Sequence, residues 1–209
     1  MKKGFFITFE GNDGAGKTTI AKACMDQLKE QGHEVIYTRE PGGSRIAEQI
    51  RGILLDNENT DMDARTEAIL YAAARRQHLV DIVAPALAQG KIVLCDRFLD
   101  SSLAYQGVGR GLGINEVEEL NRFAIHDLMP DKTIFLAVSN EIAQQRMGAR
   151  SEALNRLDNE KADFHEKVRA GYEKLLQRDP QRIVKIDASG SVDHVSATAM
   201  KEIEKVIYG

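Results

Sequence analysis

No run in this sequence is long and apolar enough to cross a membrane. The first apolar run, Phe5 to Phe9, is cut off by Glu10 and is too short for the hydrophobic region of a secretory signal, although Lys2 and Lys3 precede it. Cysteine is scarce. Cys24 and Cys95 lie far apart with no CxxC between them, which excludes a disulfide framework and a zinc ribbon and favours reduced, buried thiols in a cytoplasmic protein. The histidines His33, His78, His126, His165 and His194 are scattered singly, so they read as structural or surface residues and not as metal ligands. A net charge of −4 offers no general surface for nucleic acid or acidic membranes. Internal repeats and low-complexity linkers are also missing, so residues 1–209 read as a single domain, with 43% apolar residues available for a core.

What is present is an alternation of two periodicities. "GFFITFE" has strand character, and from Lys17 the apolar residues Ile20, Ala21, Cys24, Met25 and Leu28 recur at helical spacing. "EVIYT" reads as a second strand, followed by the loop "REPGG" and a helix "SRIAEQIRGILLD" with Ser44 at its N-cap. A long helical pattern runs from Ala64, bends or breaks at Pro85 and stops at Gly90. "KIVLCD" is a continuous apolar run ending in an acid, the pattern of a strand covered on both faces. "RFLDSSLAYQGVGRGLG" reads as irregular, and "INEVEELNRFAIHDL" as a helix ended by Pro130. "KTIFLAV" and "QRIVKID" complete five strands. The alternation predicts an α/β fold with a five-stranded parallel sheet flanked by helices, and a ligand site at the carboxyl ends of the strands. Between Arg146 and Glu160 the chain is polar and weakly patterned, either a solvated helix connection or a flap over a site.

"GNDGAGKT", Gly11 to Thr18, satisfies G-x-x-x-x-G-K-[ST] and follows a strand into a helix, as a P-loop NTPase requires. Gly11, Asn12, Asp13, Gly14, Ala15, Gly16, Lys17, Thr18 and Thr19 form the predicted nucleotide cradle. Backbone N–H groups of such a loop curl around phosphates, and the helix N-terminus adds unpaired donors. Lys17 is expected at the β- and γ-phosphates of ATP and the Thr18 hydroxyl at Mg²⁺, with Asp96 as the acidic partner on a neighbouring strand. No N-K-x-D guanine-reading sequence is present, which argues against a GTPase switch.

Charged residues also converge on one rim. Arg97 directly follows Asp96, Arg39 and Glu40 stand at the tip of the second strand, and Arg75 and Arg76 interrupt an apolar helix where an unpaired arginine is costly. A second anion beside the first is the simplest reading. Taken together, "FITFEGNDGAGKTT", "TREPGG", "RTEAILYAAARRQHL", "DRFLDSSLAYQGVGRGLG" and "NRLDNEKADFHEKVRAGY" resemble the thymidylate kinase family, bacterial type, nearly end to end. The resemblance implies a nucleoside monophosphate kinase-like domain with a short lid at about 146–160, a homodimer, and the Mg²⁺-dependent reaction ATP + dTMP → ADP + dTDP. Other nucleoside monophosphate or deoxynucleoside kinases, and a P-loop nucleotide-binding switch, stay open as alternatives.

By the same resemblance Arg97 clamps the acceptor phosphate, and Asp13 accepts from the 3′-hydroxyl. Tyr71 stacks on thymine where the family usually has Phe, Arg75 meets a base carbonyl, and Gln106 with Ser102 reads the Watson–Crick edge. Tyr105 crowds the 2′ position, while Arg39, Glu40 and Arg51 orient the acceptor phosphate. The bacterial type carries its catalytic charge on lid arginines, here Arg146, Arg150 and Arg156, with Arg150 and Arg156 as the catalytic pair and Arg150 foremost. The loop from Asp187 is expected at adenine. Two departures from the family pattern stand out: Ala137 stands where many members have an acid after the fourth strand's leucine, and Phe98 replaces a tyrosine.

Overall fold

The computed structural model describes residues 4–148 and 155–209. Strands β1 (Phe5–Glu10), β2 (Val35–Arg39), β3 (Ile92–Asp96), β4 (Lys132–Ala137) and β5 (Ile183–Asp187) pair in parallel in the order β2-β3-β1-β4-β5. Around them lie helices α1 (Lys17–Glu30), α2 (Arg45–Leu55), α3 (Ala64–His78), α4 (Ala84–Ala88), α5 (Leu99–Ser102), α6 (Ile114–Ile125), α7 (Asn140–Gly148), α8 (Ala162–Arg178) and α9 (Val192–Tyr208).

The apolar runs of β1, β3 and β4 follow from this layering, because alternate side chains feed two different cores. Ile7, Phe9, Leu94, Ile134 and Leu136 meet Ala21, Cys24 and Leu28 of α1 and Val195, Ala199 and Ile203 of α9. Phe6, Val93, Cys95 and Phe135 point to the other face, against Leu79, Phe98, Leu103, Val168 and Tyr172. Both cysteines are buried and unpaired, and burial pushes the Cys24 thiol up to about 12. Register pairs Phe9 with Asp96 and Arg39 with Asp96, so the acidic end of β3 sits level with the ends of β1 and β2.

Two elements differ from the sequence expectation, and a third gives it a specific form. The bend at Pro85 is a π-helical turn, Leu79–Val83, placed just ahead of the proline. Proline supplies no N–H and crowds the preceding turn, and the wider turn accommodates both. The stretch after Arg97 is helical where an irregular segment is expected: α5 runs directly into a second π-helical turn, Leu103–Gly109. Gly107 and Gly109 within the turn serve close packing, since a Cβ at Gly109 would lie 2.8 Å from the Phe164 ring, whereas Gly111 and Gly113 beyond it take positive φ. Finally, α6 stops at Ile125 because His126 takes a left-handed conformation (φ 53°), ahead of Pro130.

Candidate active site

The phosphate loop joins β1 to α1, and its backbone leaves donors free. Gly16 caps α1 in the left-handed region (φ 87°) with no side-chain cap and no acid in the first turn. The first N–H groups of the helix therefore have no partner within it and face the loop. Gly14 is required for a different reason: a Cβ there would run into the Ala143 carbonyl oxygen on α7. Lys17 is buried, donating to the carbonyls of Gly11 (3.0 Å) and Asn12 (2.9 Å). Burial, and then the charge of Arg97, pull its ammonium down to about 8. Thr18 donates its hydroxyl to Asp96, and the Tyr37 hydroxyl reaches the same carboxylate oxygen at 3.3 Å.

Directly across the loop lies an acid–arginine pair. Arg97 Nη2 donates to Asp13 Oδ1 at 2.5 Å, and the Tyr105 hydroxyl donates to Asp13 Oδ2 at 2.9 Å. The Arg97 guanidinium also stacks over the Tyr105 ring, 5.0 Å from its centroid. Burial alone would raise the Asp13 carboxyl, yet the charges of Arg97 and Lys17 hold it well below the usual carboxylate range. Arg97 holds this position with φ 68°, a conformation uncommon outside glycine and concentrated at functional sites.

Glu10, at the end of β1, supports that arrangement from below. Its Oε1 accepts from the backbone N–H groups of Phe98 (2.8 Å) and Ser101 (3.2 Å). Its Oε2 accepts from the hydroxyls of Ser101 (2.5 Å) and Tyr172 (2.9 Å). Arg97 Nη1 in turn donates to Ser101 Oγ at 3.1 Å. Burial and the nearby Asp100 charge push the Glu10 carboxyl up to about 7.

Asp13, Lys17, Thr18, Asp96, Arg97 and Ser101 floor a cleft of about 810 Å³. Tyr71, Arg75, Ser102, Tyr105 and Gln106 form one wall, Arg39, Glu40 and Arg51 the rim, and Asn155, Leu157 and Asp158 close it from the far side of the sequence. The expected acceptor residues thus share one space. Two are placed differently from expectation. Arg75 is almost fully buried, and its donors go to Glu40 Oε2 (2.8 Å), Ser102 Oγ, Asn121 Oδ1 and the Phe98 carbonyl (2.9 Å), so it braces the wall and presents no free donor to a base. Glu40 faces inward for the same reason, its other oxygen meeting His78 Nδ1 at 2.9 Å. At the rim, Arg39 pairs with Glu48 (2.8 Å), and Arg51 donates to the Pro41 carbonyl (2.8 Å).

The lid expectation divides three ways. Arg150 lies outside the described residues. Arg156 is not brought to the phosphate loop: it is buried, with Nη2 on Glu67 Oε2 at 2.6 Å and Nε on the Leu54 carbonyl at 3.0 Å. A buried guanidinium needs a carboxylate, and Glu67 on α3 supplies it. Arg146 lies beside the phosphate loop. It donates to the Ala188 carbonyl, in the loop expected at adenine, at 3.0 Å, and its Nη1 lies 3.8 Å from where a side chain at Gly16 would project.

Sequence reasoning passed over Glu10, Tyr37, Glu67 and Tyr172. Two had a usable signal. Glu10 ends an apolar strand in an acid, as Asp96 does. Glu67, Tyr71, Arg75 and His78 recur at helical spacing on one stripe of α3, all of them buried.

A phosphate loop on a parallel sheet, an acid level with it on β3, and an adjoining cleft floored by an arginine define a P-loop kinase of the nucleoside monophosphate class. The family model described as Thymidylate kinase matches residues 9–199. The chain belongs to the thymidylate kinase family. It is 52% identical over 208 residues to a thymidylate kinase of Shouchella clausii (strain KSM-K16), covering 99% of this chain and 98% of that one. A thymidylate kinase of Clostridium novyi (strain NT) is 55% identical over 196 residues, covering 93% and 96%. The crystal structure of thymidylate kinase from Ehrlichia chaffeensis superposes with a TM-score of 0.78 at 33% identity, covering 97% of this chain and 99% of that one.

Proposed function

We propose that this protein transfers the γ-phosphoryl group of ATP to dTMP, giving ADP and dTDP. The observation that carries the reading is the Asp13–Arg97 pair, which ties the phosphate loop to the floor of the acceptor cleft. In-line transfer needs little covalent help from the protein, so catalysis is positioning plus electrostatics. Lys17 leaves its carbonyl partners for the β- and γ-phosphates. Arg97 holds the acceptor phosphate and offsets charge on the phosphoryl as it passes. Asp13 accepts from the 3′-hydroxyl, and Tyr105 fills the space a 2′-hydroxyl would need. Tyr71 stacks on the base, and Gln106 contacts its edge. Arg39 and Arg51 orient the acceptor phosphate, while Arg75 and Ser102 keep the wall in place.

Thr18 and Asp96 supply two adjacent hard oxygens beside the phosphate loop, a donor set that suits Mg²⁺, which takes one or two protein ligands and completes its shell with phosphate and water. When bound, that ion neutralises charge on the β- and γ-oxygens. Arg146 and Arg150 are the lid cations proposed to stabilise the transferring group. We also propose a cytoplasmic homodimer. In support, no helix among the described residues is long and apolar enough to cross a membrane, and Phe123 is 91% exposed on α6, the helix that packs against α3.

The deciding assay is coupled ADP release with dTMP, dCMP, dGMP and AMP as acceptors. dTMP should be strongly preferred, and dUMP should be weaker but active, since one methyl group contributes only about 1–3 kcal/mol. Equal rates across the monophosphates would refute the substrate assignment.

A further inference from the structure

An amide has two ends of opposite hydrogen-bonding character, and the surroundings of Gln106 fix which end faces the cleft. Gln106 Nε2 donates to Oε1 of Glu67 at 2.9 Å. Among the described residues nothing donates to Gln106 Oε1, although the residue lines the acceptor cleft. Glu67 itself is fully buried on α3. Its Oε2 accepts from Arg156 Nη2 at 2.6 Å and Arg110 Nη2 at 3.0 Å, and its Oε1 also accepts from Arg110 Nε at 3.1 Å. Burial alone would raise this carboxyl, but hydrogen bonds from Arg110 and Gln106 and the charge of Arg110 hold it below the ordinary value. An ionised carboxylate only accepts, so the amide must turn its NH₂ toward it. The reverse orientation would set a carbonyl oxygen against a buried carboxylate and leave the NH₂ without its partner.

We infer that Glu67 is a positioning residue for base selection: by holding the NH₂ end of Gln106, it presents the amide oxygen to the acceptor base. The inference rests on Gln106 being a base contact in the proposed thymidylate kinase reaction. The consequence is chemical. Ring nitrogen N3 of thymine carries a hydrogen and can donate to that oxygen. N3 of cytosine carries none, so two lone pairs would face each other. In this structure the N–H groups of Arg75 go to Glu40, Ser102, Asn121 and Phe98, whereas the Gln106 oxygen has no donor among the described residues. Uracil shares the N3 hydrogen, so the device separates thymine from cytosine and not thymine from uracil. The two arginines that keep Glu67 charged come from outside the cleft wall. Arg110 follows the π-helical turn and also pairs with Glu160 at 2.6 Å, and Arg156 belongs to the segment closing the cleft.

The test compares kcat/KM for dTMP, dUMP and dCMP in the wild type, E67Q and Q106M, with the inhibition constant of dCMP used where its turnover is too slow. The amide created by E67Q can accept or donate, which frees Gln106 to adopt either orientation. The dTMP-to-dCMP preference should narrow by roughly tenfold or more, the equivalent of one hydrogen bond gained against one lost. The dTMP-to-dUMP preference should stay where it is, a pattern that loss of structure alone would not give. An unchanged dTMP-to-dCMP preference in E67Q overturns the role of Glu67. If Q106M keeps that preference too, Gln106 does not read the base and the reading beneath fails as well. If Q106M narrows it while E67Q does not, Glu67 alone is excluded. E67Q leaves Arg156 buried without a counter-charge. The double variant E67Q/R156Q removes both, and its substrate ratios, measured within one enzyme, report the same outcome.

Discussion

Arg97 and Asp13, 84 residues apart in sequence, meet at 2.5 Å and tie the end of β3 to the phosphate loop in one ion pair. In the proposed reaction the two substrates share this electrostatic element, and disturbing it should be felt as acceptor-dependent turnover before it is felt as ATP binding. The D13N variant is expected to lower kcat/KM for dTMP by roughly a hundredfold or more, because it leaves a buried guanidinium without its carboxylate. Steady-state kinetics should find KM for ATP within about threefold of wild type, judged against that larger effect. A loss confined to ATP affinity would place Asp13 on the donor side only.

Lys17 is expected to give the proposed reaction a basic limb. Its folded pKa is lowered to about 8, so the cation proposed to meet the phosphates is discharged as pH rises through that value. The profile of kcat/KM for ATP, which reports the free enzyme, should fall above about pH 8. The kcat profile should fall later, because bound phosphates favour the charged form. In stability terms the sign is the reverse. The unfolded chain binds the extra proton between about 8 and the ordinary lysine value of 10.5, so the penalty for burying the charge is relieved as pH rises through that window. Identical limbs for the two kinetic profiles would detach Lys17 from ATP.

Glu10 predicts an opposite dependence on the acid side. Its folded pKa of about 7 lies above the ordinary glutamate value of 4.5, so between those values the folded protein binds more protons and loses stability as pH rises. Thermal melts of wild type and E10Q from pH 5 to pH 8 should therefore converge or cross as pH rises. The kinetic signature of E10Q is reduced kcat through Arg97, by roughly tenfold, with KM for ATP little changed. Parallel melting curves with normal kcat would show that the acid is only a packing group.

Thr18 and Asp96 form the proposed metal site, so chelation should abolish turnover, and D96N should require roughly tenfold more Mg²⁺ for half-maximal rate at fixed ATP. A Mg²⁺ dependence unchanged in both D96N and T18A would move the metal elsewhere.

Phe123 presents a whole aromatic side chain to solvent on α6, and Ile69 is exposed on the neighbouring α3. Such a surface is expected to be covered by a second copy of the chain. F123E should convert a dimer to a monomer in sedimentation analysis, and a wild-type monomer at micromolar concentration would exclude the dimer.

The parallel sheet and the phosphate cradle were legible because each has a local signature: apolar runs closed by an acid, and glycines at fixed spacing before a helix. Strand ends were read to within a residue or two for the same reason. The segment after Arg97 was not, because its glycines look like turn formers, whereas Gly109 and Gly171 are glycine so that α8 can pack closely on the π-helical turn. Arg156 lies apart from the phosphate loop for a related reason. Sequence gives its charge but not its depth, and Glu67 takes it into the wall. Arg75 was correctly singled out as needing a partner, but the partners are Glu40, Ser102 and Asn121, from three other parts of the chain.

The π-helical turn from Leu103 to Gly109 places a constraint on length as well as on identity. Such a turn amounts to one residue more than an α-helix needs over the same span. Removing that extra residue would close the turn into an ordinary α-helix, so the flanking chain keeps its direction while the residues inside the turn shift against their neighbours. Tyr105 and Gln106 lie inside it, so their places in the cleft depend on the length of the turn as well as on which side chains it carries. A one-residue deletion here should therefore lower activity while the fold survives, an outcome that kinetics and thermal melts read together.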